Sequence, residues 1–353
     1  MDKSAKMKKA TNLWTTIVFL AIAIPSSAQD PHFSQFYTSP LTQNPALAGA
    51  IYDMQGIINY KSQWSSVANP FKTVAASFDM KFVKKKIKNG YWAGGVNLFN
   101  DDAGISQLRT TLVNLTVAYH VQLDQFNSLG AGLQGGICQR SINFGALQWG
   151  SQYNGMNYDA SLPSNEPSGA ATHFFGDAGA GVVWAFNNNT RSMEINDNNF
   201  LKWSLGASVF HVNRPNLSFT GTKDLLNIKY VLHGNGLISI PNSDIAFAPG
   251  FMFSKQGAAT EILYGSLIRY NLQQHSKYTG FSKDAAISLG VFHRWGDAFA
   301  LTMQLEISGY KLGMSYDINS SELRTASKGL GGFEISICYT IYNPFLSSGR
   351  RRR

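Results

Sequence analysis

Few residues of this chain are spaced for chemistry. Gly130-Ala131-Gly132-Leu133-Gln134-Gly135 spells G-x-G-x-x-G, a pattern that can bring backbone close to a pyrophosphate at a helix start. It sits inside an alternating polar/apolar segment, with no helical period after it and no strand–helix–strand unit around it. The expected role is structural: a strand whose glycines make room for something bulky inside. Asn100-Asp101-Asp102-Ala103-Gly104 offers two carboxylates, short of the roughly 6–8 oxygens calcium takes and with no Glu at the twelfth position. Ordinary turn chemistry accounts for it. His32, His120, His173, His211, His233, His275 and His293 show no metal-ligand spacing. His120 and Asn114 fall on one strand face, but no Ser in a nucleophile-like setting accompanies them, so a triad is not expected. Cys138 and Cys338 are expected as unpaired thiols on the inward parity. No catalytic group, metal or cofactor is expected.

The elements that carry these residues follow from composition. The 353 residues are 44% apolar, 13% aromatic and only 14% charged, against about a quarter charged in an ordinary soluble domain. The 23 Phe, 15 Tyr and 7 Trp exclude disorder. No stretch reaches the roughly 18 apolar residues of a spanning helix. Lys3, Lys6, Lys8 and Lys9, the apolar Leu13–Ile24 and Pro25-Ser26-Ser27-Ala28 form a secretory signal peptide over residues 1–28, cut before Gln29. Removing it takes 30 basic and 21 acidic residues to 26 and 20, so the net charge of +9 becomes +6. Four of those charges are Arg350–Arg353, in a basic tail over 346–353, which leaves the body near neutral. A nucleic-acid footprint is therefore excluded.

The mature chain alternates with period two. Val113, Leu115, Val117, Tyr119, Val121 and Leu123 share one face, opposite Asn114, Thr116, Ala118, His120 and Gln122. That length suits a tilted transmembrane strand of about 9–11 residues with its rims. Parity turns Val117 to lipid and Thr116 to the lumen, where an Arg should be better tolerated. The same pattern puts Arg269, Arg294 and Glu334 opposite apolar stripes. Strands are expected near Met54–Trp64, Lys72–Val83, Tyr91–Phe99, Arg109–Leu123, Ser128–Ile142, His173–Asn187 and Leu201–Val212. The series continues at Lys229–Ile240, Ser243–Ser254, Thr260–Leu272, Lys283–Trp295, Asp297–Ser308, Gly309–Ile318 and Gly331–Tyr342. The fold expected is an all-β, transmembrane, antiparallel up-and-down barrel of about 14 strands over residues 51–345. An even count puts both ends in the periplasm, the long connection Asn143–Thr172 outside and the tight Pro241-Asn242 turn inside.

Residues 29–50 differ from the rest. Asp30-Pro31-His32-Phe33-Ser34-Gln35-Phe36-Tyr37 and Pro40-Leu41…Asn44-Pro45-Ala46-Leu47-Ala48-Gly49 are neither alternating nor linker-like. With these motifs directly after a signal peptide, the chain resembles the PorP/SprF outer-membrane proteins of Bacteroidota type IX secretion and gliding motility. Echoes continue at Asn69-Pro70-Phe71-Lys72-Thr73, Gly132–Ile137 with Gln139-Arg140, Tyr316-Asp317 and Phe333-Glu334-Ile335-Ser336-Ile337. Gly331-Gly332-Phe333-Glu334 departs from the family's usual G-S-H-E, and the terminal arginines extend beyond its usual end.

The resemblance implies no catalysis. It implies a barrel that supports export or surface anchoring of adhesins and other secreted proteins carrying a C-terminal sorting domain. Its partners would be components of the type IX and gliding machinery, a periplasmic peptidoglycan-associated protein and outer-membrane lipid. The expected partner-binding residues are Phe33, Ser34, Gln35, Phe36, Tyr37, Pro40, Leu41, Asn44, Pro45, Ala46, Leu47 and Gly49, with a plug in the lumen as the competing role for 29–50. A porin-like or FadL-like transport barrel for small solutes is the alternative function.

Overall fold

Alternation along the chain becomes alternation across a closed wall. The computed structural model describes residues 30–64, 69–82, 89–104, 106–166, 171–188, 201–219, 221–241, 243–273, 285–322 and 324–341. The expected signal peptide, the arginine tail, Asn242 and most of the connections before Leu201 and Ala285 lie outside these residues. The strands are β1 (Met54–Gln63), β2 (Phe71–Lys81), β3 (Gly90–Ala103), β4 (Leu108–Gln122), β5 (Asn127–Ser141), β6 (Thr172–Asn187) and β7 (Leu201–Phe210). They continue as β8 (Lys229–Ser239), β9 (Ile245–Gln256), β10 (Ala259–Gln273), β11 (Ala285–Arg294), β12 (Ala298–Ile307), β13 (Tyr310–Asn319) and β14 (Leu330–Ile341). Each pairs antiparallel with its sequence neighbours, and β14 closes on β1 from Met54↔Ile341 to Gln63↔Gly332. Closure leaves no unpaired sheet edge, which is the condition for strands to sit in lipid.

The outward face is apolar and bare. Leu115, Leu133, Ile137 and Val182 are all more than half exposed, and Val117 is 51% exposed. Trp92–Tyr119 and Trp184–Trp203 pairs, with ring centroids 4.9 and 4.8 Å apart, form part of an aromatic belt at the terminal end of the barrel, where β1 begins and β14 ends. The described parts of the connections 142–171 and 211–228 lie at the opposite end. Long loops face outward in bacterial barrels, so that end is extracellular and the terminal end periplasmic.

Two local expectations need correction. Asn100–Ala103 is strand, not turn: Thr73 Oγ1 donates to Asp101 Oδ1 at 2.6 Å, and Arg109 pairs with Asp102 at 3.0 Å. These cross-strand contacts extend β3 to Ala103, and Gly104, with a φ of +69°, makes the turn. Thr116 does face inward, but it is only 2% exposed and meets packed protein rather than water, so an Arg there has no room.

Candidate functional site

The lumen is occupied by the chain's own residues 30–50. The segment enters at the loop end, beside the ends of β7 and β9, and leaves at the terminal end, where it feeds β1. It is built from three short helical turns, Phe36–Thr38, Pro40–Gln43 and Pro45–Leu47. Proline opens the second and third, where a missing N–H costs nothing. Asn44 caps the third by accepting from Ala46 N at 2.8 Å.

An irregular backbone inside a barrel leaves its polar groups to be satisfied by wall side chains. At the loop end the wall does this with charge. The Asp30 carboxylate meets His211 Nε2 at 2.8 Å and Lys229 Nζ at 3.4 Å, and Asp30 N donates to Gln256 Oε1 at 3.0 Å. His211 also meets Asp177 through Nδ1 at 2.9 Å. Contact with a carboxylate at each ring nitrogen requires the imidazolium. Burial opposes that charge, but Asp177 and Asp30 override it and raise the pKa of His211 to about 9. Burial would likewise raise the Asp30 carboxyl, yet Lys229 and His211 hold it well below its ordinary range.

Further in, Glu334 accepts from the backbone N–H of Ser34 at 2.7 Å and of Gln35 at 3.0 Å, and it pairs with fully buried Lys61 at 2.9 Å. Ser34 Oγ donates to Asp317 at 2.7 Å, and Arg294 bridges Asp317 at 3.0 Å and Ser34. Phe36 inserts among Phe210, Val231, Met252, Leu263, Leu267 and Phe292. It meets Phe292 edge-on at 5.8 Å.

At the terminal end the grip is mainly neutral, with one buried carboxylate, Asp79, accepting from Gly49 N at 2.8 Å. Asn59 donates to Thr38 O at 2.9 Å, Asn44 to Val182 O at 2.8 Å, and Tyr91 OH to Gly49 O at 3.1 Å. His120 Nε2 lies 2.8 Å from Ala48 O and its ring stacks on Tyr91, so the inward histidine is a structural contact. Glycines give the segment its space. A Cβ on Gly132 would come within 2.5 Å of Ala46 N and Pro45 C, and one on Gly181 within 2.1 Å of Asn44 Oδ1. The bulk that Gly132 of β5 accommodates is therefore the segment's own backbone, whereas Gly130 and Gly136 make room for His120 and Asn114 of β4.

All twelve residues expected to bind partners lie in this lumen segment. Tyr37 is half-buried and the other eleven are buried. Direct contact between a partner and these side chains requires the segment to leave its seat. The residues that hold it (Asp177, His211, Lys229, Arg294, Asp317, Glu334, Lys61) were visible in sequence only as polar interruptions. Cys138 and Cys338 are free and buried. Among the described residues, no cluster of three metal-type side chains occurs.

A closed antiparallel barrel with a bare apolar exterior and a polar, occupied interior defines an outer-membrane β-barrel protein. The family model described as Type IX secretion system membrane protein PorP/SprF matches residues 26–339, and the chain belongs to that family. It is thereby an outer-membrane component of type IX secretion, outside the known enzyme families, and interacts with that machinery. No curated protein matches the sequence. Among solved structures, BamA from Haemophilus ducreyi lacking POTRA domains 1-3 is 9% identical, covering 82% of this chain and 70% of that one, at a TM-score of 0.43. The CymD monoaromatic hydrocarbon channel is 11% identical, covering 86% and 93%, at 0.42. The translocator domain of autotransporter NalP from Neisseria meningitidis is 10% identical, covering 82% and 88%, at 0.29. Likenesses this remote carry no conclusion about function.

Proposed function

We propose that this barrel supports export or surface anchoring of adhesins and other secreted proteins with a C-terminal sorting domain, by protein–protein contact and without catalysis. The observation behind the proposal is the seated segment: a lumen spanned by the chain's own aromatic and proline-rich residues suits a platform better than a conduit. Phe33–Gly49 fixes the exit of the segment, Ala50–Asp53, at the periplasmic rim. That is where a gliding-motility or peptidoglycan-associated partner would engage, either on the exit itself or on residues Phe33–Gly49 after their release.

The test is a Phe33→Ala/Phe36→Ala/Tyr37→Ala chain. It should reach the outer membrane and keep heat-modifiable mobility, yet lose co-purification with secretion components and fail in client display. Normal export with intact pull-downs sinks the proposal. Solute transport, the competing function, requires the wild-type chain to swell liposomes as an open porin does.

A further inference from the structure

A groove on the outer wall carries chemistry that the lumen segment does not use. Arg214, Asn227, Ile228, Tyr230, Lys255 and Gly257 line a cavity of about 260 Å³ at the loop end. Tyr230 and Lys255 are cross-strand partners on β8 and β9. Their neighbours Lys229 and Gln256 turn inward to Asp30, so Tyr230 and Lys255 turn outward. The next outward pair toward the middle of the barrel is Leu232↔Phe253, with Leu232 about half exposed on the lipid-facing belt. The two cations therefore sit where the apolar belt ends and the headgroup layer begins.

Neither Arg214 nor Lys255 has an ion-pair partner among the described residues. The backbone of Arg214 is held in the left-handed region, φ +44°, by a turn in which its N–H donates to His211 O at 2.9 Å. A non-glycine residue kept there is strained, a pattern that concentrates at functional sites. A forked guanidinium, an ammonium and an aromatic hydroxyl-bearing ring converge on one concave spot, which suits a phosphate group attached to a lipid. Outer-leaflet glycolipid carries phosphate at this depth.

We propose that this groove binds the phosphate of an outer-leaflet glycolipid, with Arg214 and Lys255 as its charge partners and Tyr230 packed against the sugar. The full chain, purified in detergent, is titrated in parallel with monophosphoryl lipid A, with the same glycolipid stripped of phosphate, and with inorganic phosphate. Bound fractions are read by native mass spectrometry. The wild type should prefer the phosphorylated glycolipid by at least about tenfold, as two charge-assisted contacts require. Arg214→Gln/Lys255→Gln should lose that preference, while Lys223→Gln, an exposed cation of the same loop outside the groove, should keep it. Lys255→Gln alone is a surface change that leaves the fold intact, and it should weaken the preference in the same direction. The proposal is overturned if the wild type shows no preference, or if the folded double or single variant keeps it in full. Inorganic phosphate binding as tightly as the glycolipid would overturn the lipid assignment.

Discussion

The two halves of the lumen segment cross one barrel but are held by different physics. Asp30–Gln35 is gripped by ionised groups, namely His211, Lys229, Arg294, Asp317 and the Lys61–Glu334 pair. Thr38–Gly49 is gripped mainly by neutral donors and by close backbone approach to glycine, with a single carboxylate, Asp79, accepting from Gly49 N at its far end. Buried ion networks are weak net contributors to stability but severe when broken, because a lone charge is left in a dry interior. Close packing is graded instead: each added carbon must find volume. The first half should therefore answer to charge and pH, and the second to side-chain volume.

The largest expected effect lies in the charged half. Glu334→Ala strips Lys61, which is 0% exposed, of its counter-charge and leaves the N–H groups of Ser34 and Gln35 unpaired. Losing one partner of a buried pair costs about 3–5 kcal/mol. A fall of that size in unfolding free energy, measured by urea titration in micelles, is the outcome to expect. The double change Lys61→Met/Glu334→Leu should recover much of it, since apolar residues of similar volume often replace a buried pair without loss. If single and double variants fall equally, charge is not what distinguishes this half.

Much of the wall was legible from the sequence, and little of the seat. Strands such as β4 announce themselves because the period-two rule acts between adjacent residues, and lipid on one side keeps the alternation clean. It failed at Asn100–Ala103, where three polar residues in a row imitate a turn. Their pairing with Thr73 and Arg109 is a cross-strand property. The lumen segment stood out through its aromatics and prolines, but its contacts join residues as far apart as Ser34 and Glu334. No local pattern encodes such pairs. The inward glycines of β5 were the nearest signal, since missing side chains at inward positions say that something else fills the space.

A smaller effect should come from the neutral half. Gly132→Ala places a methyl group against the backbone of Pro45 and Ala46, which cannot move aside as a flexible side chain would. Overpacking of this kind costs about 1–3 kcal/mol. Hydrogen exchange should rise in Thr38–Gly49 while Asp30–Gln35 stays protected. Loosening that begins instead at Asp30 would show that the two halves are one cooperative unit rather than two.

The smallest effect, and the sharpest separation, comes from pH at the loop end. His211 has a folded pKa of about 9, above its ordinary 6.5, so the stability it contributes is complete below 6.5 and is lost as pH rises through about 9. Asp30 is shifted the other way, so its contribution is present above 3.8 and is lost as pH falls below that value. The clasp is therefore fully engaged between those two ordinary values and fades on the alkaline side. Asp30 is partly exposed, which limits the whole effect to roughly 1 kcal/mol. Asp30→Asn keeps the shape and removes the charge. The stability difference between wild type and Asp30→Asn should hold near neutral pH and shrink above about pH 9, when His211 has lost its proton, to the part that Lys229 supplies. Gly132→Ala should show no such pH dependence, because nothing titrates between Gly132 and the Pro45–Ala46 backbone. A difference for Asp30→Asn that persists unchanged above about pH 9 would mean that Lys229 and the hydrogen bond from Gln256, and not the imidazolium, seat the start of the segment.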